Sequence, residues 1–172
     1  MKKIWKINEN VNYMATTLAA RLGVSPLLCQ LLINRGLSEP LKAEAFLAPD
    51  MAQLHDPFLF KDMERAVERL KQAILKQERV LIYGDYDVDG ISSVALMIRV
   101  LARCLPGNLL YYIPKRLEEG YSLHLHSLEK AISKEIDLVI TVDCGISAVE
   151  EASYLKDKGI DLIITDHHEP PP

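Results

Sequence analysis

The chain has 172 residues, 49% of them hydrophobic and 26% charged, which is the balance of a globular protein long enough to bury a core. A net charge of −4 excludes a chain that clamps nucleic acid by bulk electrostatics, while leaving room for a local carboxylate cluster around a cation. No apolar run approaches membrane-spanning length, and the basic residues 1–6 lack the apolar segment of a signal peptide. Cys29, Cys104 and Cys144 follow no paired spacing, so the expectation is free thiols in a cytoplasmic protein with no membrane partner.

In chain order, residues 1–53 read as a small helical segment, with Trp5 as the expected anchor for its start. Ser25-Pro26 supplies an N-cap followed by proline in the first turn, and Leu28, Leu31, Leu32 and Ile33 form the apolar stretch behind it. Arg35-Gly36 closes that helix with a last-turn cation and a glycine. A further short helix through Leu41, Ala45 and Phe46 stops at Pro49. After the turn Leu54-His55-Asp56-Pro57-Phe58, residues 61–77 form an amphipathic helix. Met63, Ala66, Val67, Leu70, Ala73 and Ile74 recur there at steps of three and four.

From residue 79 the pattern alternates. Residues 80–83 (Val-Leu-Ile-Tyr) form an apolar run ending in Gly84-Asp85, and a helix is predicted from about Ser92 to Cys104. Residues 109–113 make a second strand and 123–133 a helix. Residues 138–142 form a third strand ending at Asp143, and 148–158 a helix closed by Gly159. Residues 162–165 form a fourth strand ending at Asp166. Strands apolar on both faces and separated by helices imply an α/β fold, a doubly wound, mostly parallel sheet with right-handed crossovers.

Three of these strands finish on acids. In a parallel sheet such ends share one edge, and ligands bind outside it near the point where strand order reverses. Asp85, Asp87, Asp89, Asp143 and Asp166, with His167 and His168, are therefore expected on one rim. Like charges at that density demand a cation or raised pKa values. Mixed carboxylate and imidazole donors suit manganese, iron or zinc, and carboxylates accept magnesium. The donors suffice for two ions with Asp143 between them, the arrangement that serves phosphate-ester hydrolysis.

Taken singly, each piece has a plainer explanation. Asp85-Tyr86-Asp87-Val88-Asp89-Gly90 resembles the start of a calcium loop, but that loop needs glutamate at its twelfth position, where this chain has Leu96. Asp143 alone suits a helix cap, and Asp166-His167-His168 alone suits a surface. Their recurrence at equivalent strand ends is what points to a site.

Gly84-Asp85-Tyr86-Asp87-Val88-Asp89-Gly90, Val142-Asp143-Cys144-Gly145-Ile146 and Asp166-His167-His168-Glu169-Pro170-Pro171 resemble the first three motifs of the DHH phosphoesterases. Asp56-Pro57-Phe58-Leu59-Phe60-Lys61-Asp62-Met63, Tyr112-Ile113-Pro114-Lys115-Arg116 and Glu119-Gly120-Tyr121 narrow the likeness to the RecJ type, single-strand-specific 5′→3′ DNA exonucleases of repair and recombination. The resemblance implies a partial DHH domain over residues 54–172. It implies one metal, manganese or magnesium, on Asp87 and a second on Asp89 and His167, with Asp143 bridging and Asp85 an additional ligand. Asp166 would orient the site, His168 would face the substrate phosphate, and Arg116 would hold a phosphate through its forked guanidinium. Single-stranded DNA, a single-strand-binding protein and a helicase are the implied partners.

Two departures from the family pattern bear on these roles. Tyr83 stands where many members carry a metal-binding histidine, and Gly120-Tyr121-Ser122-Leu123-His124 replaces the usual Gly-Tyr-Gly-Leu-Asn. The resemblance also implies a further aspartate and a nucleic-acid-gripping domain beyond residue 172, so that the chain by itself is expected to be an incomplete enzyme. The competing functions are a DHH hydrolase of small phosphates or short oligonucleotides, and a non-catalytic DHH scaffold. The extension before residue 61 speaks against the first, and retention of all the expected acids against the second.

Overall fold

A computed structural model describes residue 4 and residues 12–120, 123–132 and 135–170. The expectations that concern Trp5, Tyr121 and Ser122 lie outside the described residues. The chain forms two compact units, Met1–Leu59 and Phe60–Pro172. Residues 54–59, which the sequence pattern groups with the second unit, fall in the first, where Pro57–Leu59 forms a single tight turn of helix.

The first unit holds α1 (Asn12–Leu22), α2 (Pro26–Asn34) and α3 (Pro40–Leu47). The α2 helix starts as its sequence dictates: the Ser25 hydroxyl accepts from the Leu28 N–H, and Pro26 occupies the first turn. Its end is closed by the Gly36 and Leu37 N–H groups, which donate to the Ile33 and Leu32 carbonyls. Ala15, Leu18, Ala19, Cys29, Leu32 and Ala43 are buried together as this unit's own core. No single helix among the described residues is long and apolar enough to cross a membrane.

The second unit is an α/β sandwich. Its elements are α4 (Met63–Lys76), β1 (Val80–Gly84), α5 (Val88–Leu101), β2 (Leu109–Tyr112), α6 (Leu125–Ile132), β3 (Leu138–Val142), α7 (Val149–Asp157) and β4 (Asp161–Thr165). The four strands are all parallel, in the order β2-β1-β3-β4. Alternation along the strands divides the core in two. Val80, Ile82, Leu138 and Ile140 pack with Ala73, Val94 and Leu101 of α4 and α5. Leu81, Tyr83 and Val139 pack with Leu128, Ala131 and Leu155 of α6 and α7. The doubly wound reading therefore holds. Burial on both faces is complete only for the central strands β1 and β3, because β2 and β4 form the sheet's edges.

One element departs from its expected bounds in a way that matters. The α5 helix begins at Val88, four residues before the expected Ser92, with Asp87 as its N-cap accepting from the Gly90 N–H at 2.9 Å. Asp89 thus sits in a helical first turn. The early start depends on close backbone approach: a Cβ on Gly90 would lie 2.5 Å from the Asp85 carbonyl oxygen, and one on Gly84 would overlap Val94 Cγ2. Two glycines let the helix close directly onto the strand that precedes it.

This packing predicts that Gly90→Ala costs about 1–3 kcal/mol through forced backbone displacement, read as a lowered urea midpoint. An alanine variant as stable as the parent would mean that the helix does not close on β1 as described.

Candidate metal centre

The register of the sheet brings the acids into a row. Gly84 pairs with Val142, and Val142 with Thr165. The next residue along each strand is Asp85, Asp143 or Asp166, so three carboxylate residues sit directly beyond three adjacent, in-register ends. Strand order reverses between β1 and β3, and residues 85–87 with the first turn of α5 on one side and the loop carrying Asp143 on the other flank that reversal.

Asp143 leaves β3 in the left-handed region, with φ 62°, a conformation that aspartate tolerates better than bulky residues. Its N–H donates to the Thr165 carbonyl at 2.9 Å, which ties the loop to the end of β4. The carboxylate is buried and lies 3.0 Å from His167 Nε2. Donor atoms of Asp143, His167 and His168 fall within 4.8 Å of one another. Burial pushes the Asp143 carboxyl up, and repulsion from Asp87 adds to this against the opposing pull of His167; Asp87 is also in side-chain hydrogen-bond contact, and Asp89 contributes a further repulsion. The expected convergence of Asp87, Asp143 and His167 is therefore present in the structure.

Asp85 occupies a different position from its neighbours. It is 1% exposed, and neither carboxylate oxygen closes a hydrogen bond of standard geometry. Burial raises its pKa first and Asp87 adds to the rise, with the Tyr86 N–H and His168 favouring the ionised form. A buried carboxylate in that state is costly unless a cation completes it. This orphaned group and the crowded pair Asp87–Asp143 are what a divalent-ion site supplies in hard oxygen donors, and His167 adds the imidazole.

Asp166 is saturated. One oxygen accepts from the His167 N–H (2.8 Å), the His168 N–H (3.1 Å) and His168 Nδ1 (2.6 Å), and the other accepts from the Ile146 N–H (3.0 Å). Burial acts against its charge, but these bonds outweigh it and leave its pKa lowered. Asp166 thus fixes the tautomer of His168 rather than of His167, and pins the loop after β4 to the loop after β3. His168 is shifted upward, chiefly by that bond. Beside the cluster runs a groove of about 320 Å³ lined by Ser93, Leu96, Met97, Asp143, Asp166 and His167, among others.

Tyr83, at the position of the family histidine, takes no part in the rim. It is fully buried toward α6 and α7 and stacks on Tyr112 at 5.5 Å between centroids. Arg116 is exposed, with its guanidinium 5.5 Å from the centroid of Tyr86, a ring that stands between Asp85 and Asp87 in sequence. Of the two histidines ahead of and at the start of α6, His126 is exposed, whereas His124 is partly buried with its Nε2 enclosed.

Glu119, marked in the sequence only as the start of the Glu119-Gly120-Tyr121 stretch, has no role assigned to it there. Its side chain is only 3% exposed and both oxygens are engaged, by Tyr112 Oη (2.6 Å), Lys130 Nζ (3.0 Å) and the Lys115 N–H (2.8 Å). Burial opposes its charge, yet the bonds from Tyr112, Lys115 and Lys130 hold its pKa down at about 2. Its burial has no signal in the local pattern, since an acid in a turn ordinarily faces water.

Residues 79–172 match the family described as DHH family, N-terminal domain. The chain is 41% identical to the single-stranded-DNA-specific exonuclease RecJ of Bacillus subtilis over 171 residues, which is 99% of this chain and 22% of that protein. The RecJ of Haemophilus influenzae is 40% identical over 63% of this chain and 19% of its own length. Among solved structures, an exonuclease RecJ bound to manganese matches with TM-score 0.60 and 37% identity over 65% of this chain and 29% of its own. RecJ in complex with Mn2+ from Thermus thermophilus matches with TM-score 0.66 and 29% identity over 92% and 22% respectively. The chain thus spans less than a third of each of these relatives.

Because the folded pKa of Glu119 is depressed from 4.5 to about 2, its stabilisation is complete above the unfolded value and disappears as pH falls through the folded one. Denaturant midpoints measured from about pH 6 downward are expected to fall less steeply for Glu119→Gln than for the parent between 4.5 and about 2. Parallel curves in that window would mean that the buried carboxylate is not held ionised.

Proposed function

The chain belongs to the DHH family, and on that premise we propose that it supplies the metal-binding rim of a RecJ-type exonuclease that hydrolyses single-stranded DNA from the 5′ end. The single observation that carries this reading is the convergence of strand-end donors, with Asp143 between Asp87 and His167 and the unsatisfied Asp85 carboxylate beside them. Manganese is the metal named with the RecJ structures it resembles, and manganese or magnesium is proposed for this chain.

Two ions are proposed, one held by Asp87 with Asp85 and the other by Asp89 and His167, with Asp143 shared. When bound, they would supply charge stabilisation for the entering and leaving oxygens of an in-line displacement at phosphorus. The chain's own residues perform the rest. Asp166 holds His168 through Nδ1, fixing the ring that is proposed to face a phosphate oxygen of the substrate. Arg116 holds a second phosphate with a geometry that lysine could not reproduce. The groove beside Asp143 and His167, with Leu96 and Met97 on its wall, leaves a path for one strand.

Placement in a cytoplasmic repair and recombination pathway, alongside a single-strand-binding protein and a helicase, is part of the same proposal. It is supported by the resemblance to RecJ along nearly the whole chain.

Asp143→Ala is expected to weaken manganese binding by at least about a hundredfold, and Asp166→Asn by about 10–100-fold through loss of orientation, both by titration calorimetry. Degradation of a long single strand labelled at either end, compared with that of a dinucleotide, by the exonuclease whose rim this chain is proposed to supply, tests substrate and polarity. Preference for the dinucleotide would replace the exonuclease reading with a small-phosphate one. Failure of the parent to bind manganese would favour a scaffold.

A further inference from the structure

The turn after β2 is closed from the inside. The Glu118 and Glu119 N–H groups both donate to the Lys115 carbonyl, at 3.1 and 2.8 Å, and the Glu119 carboxylate reaches back to accept from the Lys115 N–H at 2.8 Å. The same carboxylate accepts from Tyr112 Oη at 2.6 Å and from Lys130 Nζ at 3.0 Å. Tyr112 is stacked on the fully buried Tyr83 of the central strand, and Lys130 belongs to α6. One side chain thereby fastens a surface turn to the second strand, to the helix beyond it and, through a ring stack, to the middle of the sheet.

Arg116 sits inside that turn. Its guanidinium stands over the Tyr86 ring at 5.5 Å, and Tyr86 separates the buried Asp85 from the helix-capping Asp87. The neighbouring Lys115 ammonium is already paired with Glu118 at 3.1 Å, whereas Arg116 enters no ion pair among the described residues. A cation held beside an anionic rim without an ion pair of its own is suited to an anionic ligand shared with that rim.

We propose that Glu119 is a positioning residue, fixing the turn of residues 115–119 so that Arg116, braced on Tyr86, meets a substrate phosphate at the acidic rim. This rests on the phosphodiesterase reading. Glu119 touches neither substrate nor metal, and acts through Arg116. The low pKa of its carboxyl, about 2, keeps all three bonds charge-assisted across the neutral range.

The test is equilibrium binding of a short 5′-phosphorylated single strand with hydrolysis-resistant linkages to the full chain in manganese, with hydrolysis of an ordinary strand followed in parallel. Arg116→Ala and Glu119→Ala are each expected to weaken binding by about tenfold or more, the scale of a lost hydrogen-bonded charge. The double variant is expected to be no weaker than Arg116→Ala alone, because both act through one contact. Manganese affinity is expected to stay within about twofold of the parent in all three, and Glu119→Gln to recover most of the binding by keeping an acceptor near Lys115. A purely structural Glu119 would instead lower manganese affinity and strand affinity together.

Parental binding by Glu119→Ala, or additive losses in the double variant, overturns the proposal. If Glu119→Ala does not fold, amide exchange at Lys115 is compared between Glu119→Gln and the parent; faster exchange supports the proposal and equal exchange overturns it. A parent that binds through Arg116 and Glu119 but hydrolyses nothing leaves the positioning role standing, whereas a parent that binds no manganese removes the nuclease reading. Undiminished binding by Arg116→Ala removes the positioning role even where hydrolysis persists.

Discussion

Everything at the rim depends on three parallel strands ending in register. Gly84, Val142 and Thr165 are paired across β1, β3 and β4, so the residues after them are forced into a row one strand spacing apart. That spacing, about 4.8 Å, is too close for several ionised carboxylates to coexist without compensation. The backbone ladder thus creates the electrostatic conflict, and the strength of the sheet keeps it from relaxing. A one-residue slip in any of the pairings would turn an acid away from the row, so the apolar contacts that fix register are also what hold the acids together. Val80, Ile82, Leu138 and Ile140 on one face, and Leu81 and Val139 on the other, are fully or almost fully buried.

Compensation is uneven, and the unevenness separates acids satisfied by the protein from acids that are not. Asp166 spends its lone pairs on two backbone amides of its own loop, one of the neighbouring loop and the His168 ring. Glu119 is equally saturated. Asp87 is half used, capping α5 through one oxygen while lying against Asp143. Asp85 and Asp143, by contrast, are buried with their pKa values raised, and Asp85 has no hydrogen bond of standard geometry. An acid satisfied by the protein has no need of a cation, while a buried one that is not satisfied favours it strongly. The division arises from burial, from repulsion by Asp87 and from uneven hydrogen-bond supply, and falls where the row meets the strand-order reversal.

Much of this is legible in the residues, and the remainder has identifiable causes for being hidden. The apolar runs at 80–83 and 138–142 announce themselves because both faces of a central parallel strand are covered, and the acids just beyond them mark the edge. The sequence pattern starts α5 four residues late because Asp87-Val88-Asp89-Gly90 looks like a loop. Only the approach of Gly90 to the Asp85 backbone explains why a helix begins there. The near-total burial of β1 cannot be told in advance from the exposure of β4, since central and edge strands of this sheet have similar composition. Tyr83 is recognisable in sequence as a departure from a histidine, but its assignment to the core beneath Tyr112 needs the alternation of β1 in space. Glu119 stands out in sequence only as part of the stretch that carries the resemblance, and its role stays hidden because its partners come from a strand, a turn and a helix that no local pattern connects.

Charge around the site is apportioned as unevenly as hydrogen bonds are. Acidic residues outnumber basic ones by four in the whole chain, yet the cations of the second unit are not scattered as a uniform counterweight. Lys115 and Lys130 are committed to Glu118 and Glu119, and Arg69 of α4 to Glu78 and Asp161 at 2.7 and 2.5 Å. These pairs brace the turn after β2 and the base of the edge strand β4, so they neutralise charge where geometry must be kept. None of them reaches the row of Asp85, Asp87 and Asp143. A rim left anionic by the protein's own pairing retains its attraction for divalent ions. Arg116, held on an aromatic ring instead of a carboxylate, adds a positive group at that boundary without cancelling the charge that draws the ions in.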